Sequence, residues 1–190
     1  MTNKQRNARL SELLDREDIL DIVGRYSRAV DRRDRELLAS LYWPDGTDIH
    51  GSFDGTAPDF VEYAMWSVGR FKRTHHLMGH TTLEFEGNRA LGETYFVSYH
   101  LRTREGTEEL YDEAFGGRYL DVFEKRGEEW RIFRRTMLID WGRIYPDTID
   151  WEATVFSSKS GAKLRLGARR PNDLLYEQYD LLRAFSTGKD

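Results

Sequence analysis

With 190 residues the chain can bury a sizeable core as one domain. Its net charge is only −4, with Lys and Arg scattered among Asp and Glu, which excludes a basic stripe for nucleic acid or a charged membrane surface. There is no cysteine, hence no disulfide, thiol nucleophile or thiolate metal site. No apolar run approaches a membrane span and no apolar stretch follows the first basic residues, so a cytoplasmic location without membrane or nucleic-acid partners is expected.

In chain order, residues 1–14 read as a flexible N-terminal segment, loosely helical at most. A helix is expected over 15–31, because Ile19, Ile22, Val23, Tyr26 and Val30 recur at three- and four-residue spacing. Asp34 looks like the N-cap of a short second helix over 35–42, which Pro44-Asp45-Gly46 ends with turn chemistry. A short strand over 48–53 and a third helix over 57–68 follow, with Gly69 as the helix stop.

After Phe71 the period changes to two. Strands are expected over 73–85, 90–102 and 130–140, with a strand or bulged strand that follows the Gly106-Thr107 turn and runs through 117–123; the joints are Gly87-Asn88, Gly106-Thr107 and Gly127-Glu128. Helices followed by a meander of hairpins predict an α+β domain, helices packed on one face of a curved antiparallel sheet, over residues 15–151. Residues 152–190 form an extension with a terminal helix, and its Trp151, Val155 and Phe156 border is apolar enough to dock over a pocket or a neighbouring subunit. The 13% aromatic content fits an aromatic core or a pocket for a flat ligand.

Several segments carry a family likeness: Tyr26, Asp31 and Asp34; Leu41-Tyr42-Trp43-Pro44-Asp45; Thr74, His76 and His80; Gly117-Arg118-Tyr119-Leu120-Asp121; and the run from Trp130 to Arg135 leading to Asp140-Trp141. In this order they resemble the SnoaL-like branch of the NTF2-like superfamily, most closely the cofactor-free lyases of the scytalone dehydratase, dehydrochlorinase and bile-acid dehydratase type. The resemblance implies a cone-shaped α+β barrel, no cofactor, a homotrimer, and an Asp–His pair assisted by a Tyr and an Arg. By position these are Asp31, His76, Tyr26 and Arg135. Some members release formaldehyde from lignin-derived diaryl compounds.

His75, His76 and His80 form a cluster, but on a strand His76 and His80 lie roughly 13 Å apart, too far to share one ion, so no metal is expected. A neutral His76 oriented by Asp31 is a suitable general base near neutral pH. Tyr26 reads equally as core or as donor to a substrate oxygen. Arg134 and Arg135 alternate; Arg135 reads as an orienting cation or as a structural arginine paired with Asp121 or Asp140. Candidates for substrate contact are Tyr42, Trp43, His80, Tyr95, Tyr99, His100 and Tyr119, with Tyr95 and Tyr99 on one strand face and His100 on the other. The expected function is a cofactor-independent lyase on a small hydroxylated aromatic substrate. Its rivals are an isomerase or polyketide-type cyclase with the same pocket, and a non-catalytic binding module.

Overall fold

The computed structural model describes residues 1–149 and 165–186. Helix α1, Asn3–Arg32, starts well before the expected Asp15, because Thr2 and Gln5 form a capping box at its N-terminus. Its first turns are exposed, and the apolar stripe from Ile19 to Val30 is the face that docks. Arg33 closes the helix in the left-handed conformation (φ 53°), and Asp34 caps α2, Arg35–Ser40, by accepting from the Leu37 amide at 3.2 Å. The third helix, α3 (Ala57–Gly69), follows the expected span and buries Phe60, Val61, Ala64, Met65 and Val68.

Six strands form one sheet in the order β2-β1-β6-β5-β4-β3. They are β1 (Tyr42–His50), β2 (Phe53–Thr56), β3 (Arg73–Glu86), β4 (Arg89–Thr103), β5 (Leu110–Arg126) and β6 (Glu129–Pro146). Two expectations change. The stretch read as one strand over 48–53 is a β1–β2 hairpin turning at Gly51 (φ 62°). Pro44-Asp45-Gly46 does not end an element; it produces the register shift inside β1, which then runs parallel to β6 while all other pairs are antiparallel. The sheet curves under the helices without closing, giving the cone of an NTF2-like fold with its core between the α1 and α3 faces and the concave side of the sheet.

The bend of β5 against β6 depends on a bulge at Gly116-Gly117. A β-carbon at Gly117 would stand 1.9 Å from the Leu138 carbonyl oxygen. Gly117→Ala should therefore destabilise the fold by about 1–3 kcal/mol or more, read as a lower urea midpoint; an unchanged midpoint would show that the strands separate freely there.

Past the sheet, the apolar residues Trp151, Val155 and Phe156 lie outside the described residues. Residues 169–176 dock on the α1–α2 corner: the Arg170 amide donates to the Arg32 carbonyl (2.9 Å), its guanidinium to Asp34 (2.7 Å), and the Tyr176 hydroxyl to Asp34 (3.2 Å). Helix α4, Leu174–Ser186, follows. No helix among the described residues is long and apolar enough to cross a membrane.

Candidate active site

Asp31 ends the buried face of α1, and β3 passes beside it. One carboxylate oxygen accepts from the His76 backbone amide at 2.9 Å, and the other lies 2.7 Å from His76 Nδ1. Both side chains are 8% exposed, so water does not compete for the contact. Burial raises the Asp31 pKa, but the ring and backbone hydrogen bonds from His76 outweigh it and hold the group below its ordinary value. With an ionised Asp31 accepting the Nδ1 proton, Nε2 is the ring nitrogen left for the cavity.

The ring of His76 lines a cavity of about 340 Å³ between α1, α3 and the concave sheet. The same cavity takes Tyr26, His100 and Tyr119 of the expected residues. Tyr26 meets Tyr119 edge-on at 5.6 Å, and Tyr119 stacks on Phe96 at 4.5 Å. Burial pushes the pKa of both phenols well above normal, so they stay protonated and can donate.

The remaining expected contact residues do not reach this cavity. His80 is exposed because a bulge between Met78 and Thr81 inserts a residue into β3 and reverses the parity that places His76 inward. Tyr95 and Tyr99 do alternate with His100, but theirs is the outer face, where they are 55% and 42% exposed. Tyr42 lies beneath the cavity with its hydroxyl donating to Asp48 at 2.7 Å. Trp43 packs outside the cone, donating Nε1 to the Glu124 carbonyl (2.8 Å) between the guanidiniums of Arg126 and Arg131.

Arg135 is inward and Arg134 outward, but Arg135 does not line the cavity. Its Nε and Nη2 each donate to Asp121 at 2.7 Å, and its charge lies 4.1 Å from the Tyr26 ring and 4.3 Å from that of Tyr119. Burial disfavours its charge, yet Asp121 and the tyrosines keep it cationic. Of the two acidic partners considered for it, Arg135 pairs with Asp121.

His100 stacks on Phe71 (4.6 Å) and meets His76 edge-on (5.2 Å), with its Nδ1 buried and without a hydrogen-bond partner. Burial, and secondarily the neighbouring His76, pushes its pKa down to about 3 from 6.5, so the ring is neutral. In the unfolded chain it gains a proton below about pH 6.5 that the folded chain refuses until about pH 3. Stability is therefore lost as pH falls through that window. His100→Phe should remove on the order of 3 kcal/mol of the loss between pH 7 and pH 4, measured as urea midpoints at both pH values. An identical slope in the variant would mean that His100 protonates freely in the fold.

The sequence reading passed over His50, which lines the cavity from the end of β1, and the apolar wall of Phe60, Phe96, Phe115 and Met137. The readable signal for His50 was its spacing from Asp48, since residues two apart on a strand share a face. Among the described residues no group of three or more His, Cys, Asp or Glu side chains is arranged to hold a metal ion.

The profile of the SnoaL-like domain matches residues 11–136, and the chain belongs to that family. The uncharacterized protein Rv2910c of Mycobacterium tuberculosis is 25% identical over 129 residues, 66% of this chain and 86% of its own length. Among solved structures, a hexachlorocyclohexane dehydrochlorinase of Novosphingobium barchaimii, LinA-type3, superposes with a TM-score of 0.61 at 21% identity, covering 74% of this chain and 95% of its own. A protein of Novosphingobium aromaticivorans proposed to be a scytalone dehydratase gives 0.61 at 19%, covering 85% and 96%. At these identities the structural likeness speaks to the fold.

Proposed function

We propose that the protein is a cofactor-independent lyase on a small hydroxylated aromatic substrate, acting by dehydration or by loss of formaldehyde. The observation that carries this reading is the Asp31–His76 pair, 2.7 Å apart and buried, with the imidazole facing an aromatic cavity. That the fold is shared with a dehydrochlorinase and a protein proposed to be a scytalone dehydratase agrees with it.

In dehydration, His76 Nε2 takes a proton from carbon, the electron pair forms the double bond, and the carbon–oxygen bond breaks. The departing hydroxyl takes the proton back from the imidazolium and leaves as water. In formaldehyde loss, the proton comes from a hydroxymethyl oxygen, the carbon–carbon bond breaks, and the carbanion delocalised over the aromatic system is reprotonated. Both need one proton taken and one developing charge stabilised. Asp31 stabilises the imidazolium, and the Tyr26 and Tyr119 phenols donate to the oxygen that gains charge. Arg135 is a positioning residue that holds those phenols. Arg169 supports the wall at the end of α3, donating to the carbonyls of Val68 (2.8 Å) and Phe71, two cavity residues.

The test is to incubate the full chain, without added cofactor, with a panel of aromatic alcohols and diols and to follow products by mass spectrometry. Products lighter by water or formaldehyde are expected. Products of unchanged mass would replace the lyase with an isomerase or cyclase, and no conversion across the panel would leave a binding module.

A further inference from the structure

The cavity contains a second imidazole backed by a carboxyl group. Asp48 and His50 are two residues apart on β1, so both point into the cone. Asp48 is fully buried, and one of its oxygens accepts from the Tyr42 hydroxyl at 2.7 Å. The other oxygen, Oδ1, lies 3.5 Å from His50 Nδ1. Both of those atoms are buried, and neither has another hydrogen-bond partner. They are chemically complementary, one acceptor and one potential donor, and a movement of a few tenths of an ångström brings them to ordinary hydrogen-bond length. That contact would fix the Nδ1–H tautomer and leave Nε2 for the cavity, as Asp31 does for His76.

The surroundings of His50 say what it can receive. Its ring lies 5.0 Å from Phe60 of α3 and 5.8 Å from Tyr119 of β5, so a flat group with one polar tip fits beside it. The titratable groups packed around it are Asp48 and Tyr42 on β1, Tyr119 and Asp121 on β5, Arg135 on β6, Tyr26 on α1, and His100 and His76 farther along the cavity. Arg135 gives Nε and Nη2 to Asp121 and keeps a buried Nη1 without a partner, so the buried set holds two carboxyl groups around one guanidinium. Outside a bond-breaking step an aliphatic alcohol is far too weak an acid to hand its proton fully to an imidazole, whereas a phenol is within reach of one.

We infer that His50, held by Asp48, is a second acid–base group of this cavity and accepts the proton of a phenolic hydroxyl on the substrate. The O–H bond breaks, the proton goes to Nε2, and the products are a phenolate and an imidazolium that Asp48 stabilises. The assignment rests on the hydroxylated-aromatic reading above and narrows it to phenols. A phenolate is the electron-rich ring that best expels a leaving group at its side chain, where His76 stands ready.

The probe is 4-nitrophenol, whose phenol and phenolate absorb at different wavelengths, bound to the full chain well below the free phenol's pKa. The bound probe should contain at least about tenfold more phenolate than the free probe, a shift of one pKa unit. His50→Gln should abolish that excess, Asp48→Asn should reduce it while keeping the Tyr42 contact, and His76→Gln should retain it. A neutral bound probe, no binding, or an excess surviving in His50→Gln would each overturn the assignment, as would its loss in His76→Gln alone. Because the readout needs no turnover, it fails or succeeds independently of the mass-spectrometric test of the lyase reading.

Discussion

His76→Gln should lower turnover of the hydroxylated aromatic substrate by roughly 10²–10⁴-fold, the contribution of a positioned general base, with a urea midpoint close to the original. Glutamine fills a similar volume, and the Asp31 bond to the residue 76 amide needs no ring. Asp31→Asn is the more searching variant. Its amide oxygen can still accept from the backbone, but its NH₂ then faces His76 Nδ1 at the position where a carboxylate oxygen stands at 2.7 Å. The ring must turn that nitrogen into an acceptor and carry its proton on Nε2, where it points at the substrate and cannot serve as a base. A loss of the same order is expected, with the fold retained by circular dichroism. Full activity in either variant would end the acid–base reading. The two losses should not add, since each removes the same function.

Arg135→Met should cost about 3–5 kcal/mol, because it leaves Asp121 uncompensated at 0% exposure and removes the cation under Tyr26 and Tyr119. Urea denaturation measures it directly. The double variant Arg135→Met/Asp121→Leu should recover most of the stability, since replacing a buried pair by apolar groups of similar volume is often close to neutral. It should not recover full turnover, because the phenols would have lost the charge that positions them. Full turnover in a stable double variant would reduce Arg135 to a purely structural role.

The periodicities of this chain carry much of the architecture. The stripe from Ile19 to Val30 does become the docked face of α1, and the four long strands cover the alternating stretches, β5 reaching from Leu110 to Arg126 and β6 running on to Pro146, past the expected end at Asp140. Alternation states which residues share a face, but not which face is inside. Tyr95, Tyr99 and His100 show the difference, since their relative orientation was readable and the exposure of the two tyrosines was not. His80 needed knowledge of an inserted residue in β3, which is visible only once Met78 and Thr81 are matched to Phe96 and Thr94. Asp121 faces Arg135 directly across β5 and β6, a register set by two bulges; a bulged strand through Gly117 was readable, but the pairing it produces was not. His50 is the opposite case: its signal, an acid two residues before it, was present and small.

Asp31 holds two parts of one residue, the amide and the ring of His76. Such a double grip leaves the imidazole little torsional freedom of its own. Its placement is inherited from the seating of a whole helix on a strand, so the site behaves as a joint between two rigid bodies. A shift of α1 against β3 too small to expose the core would still separate base from orienting acid. Heat or mild denaturant would then silence the protein while its secondary structure was intact, and improved packing between Ile22, buried on α1 away from the cavity, and its neighbours would extend the working temperature without touching any group that meets the substrate.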